Sequence, residues 1–266
     1  MDLGSEESAF TLQGDIFDTD SDVFRGNEMF PGNGEKGHNI LARWVRRLGD
    51  ESSFQVQAYY DDFERDFLGV RDALQTFDLS GQYNGSAGRH RFVFGAGVRT
   101  TKDAFINNLN PFVLVPERKR LWIVNAFAQD EVRLSDALYL TAGVKLEQSS
   151  FSGVEVLPNV RLAWQPDERT LFWSAVSRAV RTPSRIDRQL QALPILAPST
   201  NFESETLTAI EAGYRGQPTD STTLSVSFFY NIYDDLRTTE FAPGGMLPVR
   251  LQNGLEGETY GVEAWA

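Results

Sequence analysis

Residues 138–148 read LYLTAGVKLEQ, a stretch in which apolar and polar positions alternate. From 138 to 146 the even positions hold Leu, Leu, Ala, Val and Leu, and the odd positions that follow them hold Tyr, Thr, Gly, Lys and Glu. Successive residues of a strand point to opposite faces, so this period of two predicts a strand with one apolar and one polar side. Residues 154–165 repeat it, with Val160 and Trp164 on one side and Glu155 and Arg161 on the other. Such a sheet needs a second sheet, helices or lipid against its apolar face.

The same alternation predicts about twelve strands and the beginning of another. Outside the two stretches above, the apolar sides are, in chain order, Phe10, Leu12 and Ile16; Ile40, Ala42 and Trp44; Phe54, Val56, Ala58 and Tyr60; Phe77, Leu79 and Tyr83; Phe92, Phe94, Ala96 and Val98; Trp122, Val124, Ala126 and Ala128; Leu171, Trp173 and Ala175; Ile210, Ala212 and Tyr214; Leu224, Val226, Phe228, Tyr230 and Ile232. Shorter pieces follow at 249–252 and 259–266. No segment shows a helical period with caps at both ends, so the sequence predicts an all-β protein.

The predicted connectors alternate between two kinds. Tight turns rich in Gly, Pro, Asn and Asp occur at 49–52, 84–88, 135–136, 166–169 and 216–220. The links between them are longer, at 18–37, 101–119, 182–204 and 237–247, although 66–71 and 149–153 on that side are brief. In an up-and-down meander every second connector lies at the same end of the sheet. Short turns at one end and long loops at the other are typical of a bacterial outer-membrane barrel.

Two soluble architectures, the β-sandwich and the β-propeller, also produce alternation. Strands of a β-sandwich are typically about 5–6 residues long and joined by Greek-key links, whereas the predicted strands run to ten or more. A propeller would repeat about every 40–50 residues, and no such repeat is visible. The polar sides also carry Gly, Ser, Thr, Arg, Glu and Gln throughout, which suits a water-filled or plugged lumen. The pattern therefore favours a membrane barrel.

Composition excludes several other classes. With 41% hydrophobic residues the chain is too apolar for a disordered protein. A net charge of −12 leaves no basic stripe for a nucleic acid, so no nucleic-acid partner is expected. The chain contains no cysteine, which excludes disulfides and thiolate nucleophiles. No stretch reaches the roughly 18 consecutive apolar residues of a membrane helix.

Five segments resemble one family, the TonB-dependent outer-membrane receptors. They are AFAQDE at 126–131, FWSAVSRAVRTPS at 172–184, ESETLTAIEAGYR at 203–215, FYNIYDDL at 229–236 and GVE at 261–263. Each is weak alone, but their order and spacing together make a strong resemblance that covers nearly the whole chain.

The resemblance implies an incomplete antiparallel transmembrane β-barrel, with about 12–13 of about 22 strands, short periplasmic turns and long extracellular loops. Residues 1–266 would be part of the barrel domain, and the plug domain, the TonB box and the C-terminal strands are expected to be absent. The implied location is the outer membrane of a Gram-negative bacterium, in contact with its lipid. The implied function is TonB-dependent uptake of a large scarce nutrient, foremost a ferric siderophore, with no cofactor of its own. TonB-ExbB-ExbD would act through the missing N-terminal part. The alternatives are a passive porin and a barrel-anchored surface protein.

Four arginines suggest where a ligand binds. Arg178 and Arg181 end a predicted strand, and Arg185 and Arg188 follow in the link 182–204, where they are expected to be exposed to water at the outer rim. Guanidinium groups suit a carboxylate- or phosphate-bearing ligand. The alternative is that they pair with acidic lumen residues or a plug as structural contacts. The aromatic residues that could stack on a ligand, or simply pack the loops, are Phe105, Phe112 and Phe202.

No catalytic or metal site is predicted, and the protein is not expected to be an enzyme. His38 and His90 have no His or Cys companion, and isolated histidines are poor metal sites. The paired carboxylates 61–62 and 234–235 are adjacent strand residues, which point to opposite faces, so they are expected to form a solvated rim and not a shared site. Amphipathic rings settle at headgroup depth in a membrane. The predicted members of such an aromatic girdle are Trp44, Trp122, Trp164, Trp173 and Tyr230.

Overall fold

A computed structural model describes residues 2–5, 7–25, 28–67, 69–107, 111–242 and 245–266. Almost all of this part of the chain is strand. The elements are β1 (Asp2–Gly4), β2 (Ser8–Arg25), β3 (Glu28–Gly49), β4 (Ser52–Phe67), β5 (Val70–Ala87), β6 (His90–Asn107), β7 (Val113–Leu114), β8 (Arg118–Arg133), β9 (Leu138–Ser149), β10 (Val154–Asp167), β11 (Thr170–Arg181), α1 (Arg185–Gln189), β12 (Leu190–Gln191), β13 (Glu205–Thr219), β14 (Thr222–Ala242) and β15 (Met246–Trp265).

Thirteen strands form one sheet, and each strand pairs antiparallel with its neighbour in sequence. The order runs from β1 to β15 and omits only β7 and β12, which pair with each other. The predicted all-β antiparallel meander is confirmed. Within the described ranges, no helix is long and apolar enough to span a membrane.

The strand register collects apolar side chains on one face of the sheet, which we call the outer face. Leu140 is opposite Leu162, and Val160 is opposite both Ala142 on β9 and Val176 on β11. Many of these side chains are exposed: Val160 is 48% and Val176 is 49% accessible. A continuous band of exposed apolar side chains is the surface that a transmembrane barrel presents to lipid. The opposite face, here the inner face, carries the polar side chains of the alternation.

The two faces of strand β11 are exchanged relative to the prediction. Phe172 is paired with Trp164 and Tyr214, which places it on the outer face. Leu171, Trp173 and Ala175 therefore lie on the inner face, and the prediction that they form the apolar side of β11 is wrong. Both alternating sets of residues 171–176 are largely apolar, so periodicity alone favours neither. Trp173 consequently does not belong to the outer aromatic girdle.

Aromatic side chains on the inner face lie over glycines of the neighbouring strand. Trp173 is directly opposite Gly213 on β13, and a Cβ on that glycine would come within 2.5 Å of the indole Nε1. Phe127 covers Gly95 on β6 in the same way, since a Cβ on that glycine would come within 2.8 Å of the phenyl ring. Glycine is required at these positions because any side chain would displace the ring. Such pairs fix the register of the sheet by shape.

Two of the long predicted links are largely strand. Residues 18–25 of β2 pair with 28–37 of β3, and the end of β14 pairs with the beginning of β15. A membrane-spanning strand needs about 9–11 residues, whereas β3 has 22 and β14 has 21. Hairpins therefore extend well beyond the apolar band at this end. Irregular chain is concentrated between β6 and β8 and at 182–204.

Candidate functional site

The segment 182–204, here called the inner loop, folds back against the inner face of the sheet. Ser184 caps α1: its Oγ accepts a hydrogen bond from the Asp187 backbone N at 3.3 Å, and the Asp187 carboxylate accepts one from the Ser184 backbone N at 2.9 Å. This reciprocal pair is a capping box, which fixes the direction in which the helix leaves the strand. Leu190 then pairs with Leu114, so the loop reaches the connection between β6 and β8.

Asp187 holds the inner loop to the ends of two strands. Its side chain is fully buried, and its carboxylate accepts hydrogen bonds from Arg181 Nη1 at 3.0 Å and from Arg237 Nη1 at 3.3 Å. Arg181 Nε also donates to the Glu205 carboxylate, which accepts a further bond from the Arg237 backbone N at 2.8 Å. The three strands β11, β13 and β14 thus meet the helix through one network of alternating charges.

These contacts shift the acidity of both carboxyl groups, which lie above the apolar band. Burial alone would raise the pKa of Asp187, but hydrogen bonds from Arg181 and Ser184 outweigh it and hold that pKa below its ordinary value. The hydrogen bond from Arg181 lowers the pKa of Glu205 against a smaller opposing effect of burial. Both carboxylates are therefore charged at neutral pH and bind their arginine partners as ions.

Arg185 is buried, which contradicts the prediction that it is exposed to water at the rim. Only 4% of this residue is accessible. Its guanidinium donates to the Asp103 carboxylate on β6, to the Gln189 side chain at 2.9 Å and to the backbone oxygens of Pro116 and Glu117. Apart from Gln189, these partners lie between 68 and 82 residues away along the chain. The local sequence around Arg185 therefore gave no sign that it would be buried.

The other predicted arginines have separate environments. Arg188 is half-buried and not exposed at the rim as predicted, because its guanidinium donates to the backbone oxygens of Phe151, at 2.9 Å, and of Thr200. Arg178 lies on the outer face, because it follows Val176 on the same side of β11 and pairs with Thr208. The four guanidinium groups therefore do not converge: Arg181, Arg185 and Arg188 anchor the inner loop, and Arg178 points away from it.

A largely apolar chamber of 690 Å³ lies between the inner loop and the inner face. It is lined by two of the three predicted aromatics, Phe105 and Phe112, and by Arg185. The other residues that form its walls include Arg65, Phe67, Asp72, Leu74, Asp103, Leu121, Ile123, Phe151 and Ile186. Phe105 belongs to strand β6 and not to a loop as predicted. The chamber lies at the end of the sheet that carries the long connectors.

Phe202 has a structural environment. It is completely buried, and the Arg181 guanidinium lies 5.8 Å from the centre of its ring. This ring packs under the network of Asp187 and does not line the chamber. The residues brought together at the chamber are thus Phe105, Phe112 and Arg185, whereas Arg181, Arg188 and Phe202 support the loop behind it. Whether any of them contacts a ligand stays a prediction.

Several residues of this site were not singled out from the sequence. Asp187 could have been found, because the spacing Ser184-x-x-Asp187 is that of a capping box. Asp103, Glu205, Arg237 and Phe151 carry no local signal of this kind. Burial raises the pKa of Asp72, which faces the chamber, against the opposing effect of Arg65. No cluster of three metal-binding side chains occurs among the residues that the structure describes.

Comparison with known proteins identifies a family. A family model described as TonB dependent receptor-like, beta-barrel, matches residues 4–266. No curated protein sequence matches the chain.

Solved structures match over nearly the whole chain. The siderophore receptor PirA from Pseudomonas aeruginosa superposes with a TM-score of 0.74 at 16% identity, covering 98% of this chain and 48% of that one. The FrpB iron transporter from Neisseria meningitidis gives a TM-score of 0.74 at 13% identity, covering 98% and 47%. The ferric enterobactin receptor PfeA from Pseudomonas aeruginosa, as a mutant in complex with enterobactin, gives 0.62 at 13% identity, covering 98% and 55%. The chain spans about half the length of these proteins.

Proposed function

The chain belongs to the TonB-dependent receptor-like β-barrel family, and we propose that it forms the wall and ligand mouth of an outer-membrane uptake receptor for a ferric siderophore or a similar iron chelate. Its location would be the outer membrane of a Gram-negative bacterium. The structures it resembles support this choice of ligand, since they include a siderophore receptor, an iron transporter and a receptor in complex with enterobactin. At identities of 13–16% their structural likeness shows the fold alone, so the ligand is our proposal.

The inner loop carries the proposal. A passive porin needs an open aqueous channel. Here the inner loop crosses the inner face from β11 to β6 and is fastened at both sides, by Asp187 to Arg181 and by Arg185 to Asp103. This arrangement covers part of the inner face and encloses the chamber, which suits a protein that captures a ligand at its mouth.

The chamber suits a ligand with aromatic or apolar groups. Its volume of 690 Å³ falls within the range of about 300–1,000 Å³ for small-molecule sites. Phe105 and Phe112 offer ring faces, and Phe112 is 50% exposed. Arg65, whose side chain is 44% exposed, supplies a cation at the wall. We assign direct ligand contact to these three residues, and a positioning role to Arg181, Arg185, Arg188 and Phe202, since the guanidinium of Arg185 is buried and held by Asp103 and Gln189.

Passage through the barrel would be energy-coupled. In the family that the chain resembles, TonB, ExbB and ExbD supply this energy through an N-terminal plug region, so we propose the same partners for the complete receptor. The barrel-anchored surface protein remains the alternative without transport. Uptake of radioactive iron by cells that produce the complete receptor, with and without TonB, distinguishes the two.

The ligand assignment is tested by binding. In the complete purified receptor, Phe105→Ala with Phe112→Ala should weaken binding of ferric enterobactin, the probe, about 30-fold, since each ring contributes of the order of 1 kcal/mol. Binding is followed by quenching of tryptophan fluorescence. Phe10→Ala, on the outer face, is the matched control and should leave it unchanged. Unaltered affinity in the double variant would contradict the assignment.

A further inference from the structure

Asp103 has two possible basic partners, one in the sheet and one in the inner loop. On the inner face it is directly opposite Lys119 of β8. Its carboxylate nevertheless accepts a hydrogen bond from Arg185, which is 82 residues away along the chain. Residues directly opposite each other in an antiparallel pair have Cβ atoms about 4.5–5.5 Å apart, and opposite charges attract at this separation. The sheet alone would therefore pair Asp103 with Lys119, and the inner loop replaces that partner.

Lys119 has no acidic partner while the inner loop is in place. No carboxylate among the described residues forms an ion pair with it, and its Nζ lies instead 4.5 Å from the centre of the Phe151 ring. The Arg188 guanidinium lies 5.8 Å from the centre of the same ring. The inner loop thus removes the acid from this lysine and also brings a further cation to the aromatic ring that the lysine contacts.

The acidity of Lys119 reflects the charges of the inner loop. This half-buried lysine lies on β8 beyond Trp122, outside the apolar band. Burial lowers its pKa, and the positive charges of Arg185 and Arg188 lower it further. The charged lysine is therefore less stable beneath the loop than it would be in water beside the carboxylate of Asp103.

The guanidinium of Arg188 is incompletely bonded at the same place. Its Nη atoms donate to the backbone oxygens of Thr200 and Phe151, whereas its Nε is buried and has no hydrogen-bond partner in the described part of the chain. A buried donor without a partner costs free energy. The contact of the inner loop with β6 and β8 thus combines repulsion between cations with an unpaired donor, and both costs are relieved when the loop lifts.

We propose that Asp103 exchanges between Arg185 and Lys119, and that this exchange sets how often the inner loop lifts from β6 and β8 and uncovers the chamber. With the loop in place, Arg185 holds the carboxylate. With the loop lifted, Lys119 turns from Phe151 to the carboxylate opposite it, so the acid is paired in both arrangements. Elements with two discrete packed arrangements are the usual basis of such switches. The inference rests on the proposed function only in treating the chamber as the ligand site.

The test is hydrogen exchange of residues 182–204, measured by mass spectrometry on the complete receptor in a nonionic detergent without ligand. Lys119→Met removes the competing charge and keeps an unbranched side chain. Exchange should slow about 5-fold, because the lifted state loses its cross-strand ion pair and the closed state loses the repulsion. The matched control is Lys102→Met. Lys102 is next to Asp103 in sequence but is exposed on the outer face, so exchange should stay within about 2-fold of the unmodified protein.

Asp103→Asn separates competition for the carboxylate from any other role of Lys119. In this background Lys119→Met should change exchange by less than about 2-fold, because only screened repulsion between cations remains. Faster exchange in Lys119→Met alone would mean that the lysine supports the loop through Phe151, and equal slowing in both backgrounds would mean that Asp103 is not exchanged. Either result overturns the proposal. If Asp103→Asn does not fold, judged by heat-modified gel mobility, Lys119→Arg replaces it: this variant keeps the competing charge and should exchange within about 2-fold of the unmodified protein, whereas slowing equal to that of Lys119→Met would overturn the proposal.

The two proposals fail separately, because exchange without ligand does not depend on what the chamber binds. If ferric enterobactin enters the chamber only when the loop is lifted, Lys119→Met should also slow its association about 5-fold, followed by quenching of tryptophan fluorescence. Slower hydrogen exchange with unchanged association would contradict the chamber as the ligand site and leave the exchange of Asp103 standing. Normal chelate binding with unaltered hydrogen exchange in Lys119→Met would overturn the exchange of Asp103 and leave the proposed function standing.

Discussion

Arg237 and Asp187 meet at 3.3 Å, although 50 residues separate them in the chain. Arg237 belongs to β14 and Asp187 to α1, and the contact places the helix against a strand that is two positions beyond β11 in the sheet. Arg181 reaches the same carboxylate from β11 at 3.0 Å. One buried acid therefore joins two strands through the inner loop, and the position of the loop depends on its charge.

Replacing Asp187 should loosen the inner loop and leave the sheet intact. In Asp187→Asn, Arg237 loses its ionic partner at a fully buried position, and Arg181 keeps only Glu205. Breaking a buried pair costs roughly 3–5 kcal/mol, and the arginine side chains are about half exposed, so we expect about 2–3 kcal/mol here. Hydrogen exchange of residues 182–204 in the complete receptor should accelerate accordingly. Asp136→Asn, in an exposed turn, is the control, and equal exchange in both variants would refute the role of Asp187.

The inner loop should also open in acid. The pKa values of Asp187 and Glu205 are lowered in the folded state from ordinary values of 3.8 and 4.5. Above the ordinary pKa values both carboxyl groups are charged, and their ion pairs stabilise the loop fully. This stabilisation is lost as the pH falls through the lowered pKa values of the folded state. Protease cleavage within 182–204 should therefore be slow at pH 6 and increase below about pH 4. Glu205→Gln should flatten this dependence. A cleavage rate that is constant across this range would contradict the prediction.

Local sequence predicted the sheet better than the site. Alternation in 138–148 and 154–165 placed Leu140 and Val160 on the outer face correctly, because only one of the two sets is apolar there. In 171–176 both sets are largely apolar, and only the register with β10 and β13 places Trp173 on the inner face. The burial of Arg185 depends on Asp103, which is 82 residues away. Contacts at such separation leave no periodic trace in a single sequence.

A charge placed on the outer face should destabilise the barrel. Val160 is 48% exposed, near the middle of the apolar run of β10. An arginine near the bilayer midplane of a barrel costs about 2–4 kcal/mol, so Val160→Arg should lower the urea concentration at which the complete receptor unfolds from phospholipid vesicles. Asn159→Arg introduces the same side chain on the inner face and should cost far less. If both variants unfold at the same urea concentration, the assignment of faces on β10 is wrong.

The pair of Gly213 and Trp173 tests the inner face of β11. A Cβ on Gly213 would lie 2.5–2.7 Å from three atoms of the indole ring, closer than packed atoms approach, so Gly213→Ala must move Trp173. Overpacking of this kind costs about 1–3 kcal/mol, and the displaced indole should meet more water. We expect a red-shifted tryptophan emission and a lower unfolding midpoint in urea. Gly153→Ala, where a Cβ meets nothing within 4 Å, is the control and should change neither.

Adding Trp173→Phe to Gly213→Ala should recover part of the loss, because a smaller ring leaves room for the methyl group. No recovery would mean that the cost arises in the backbone of β13 and not in the ring of Trp173.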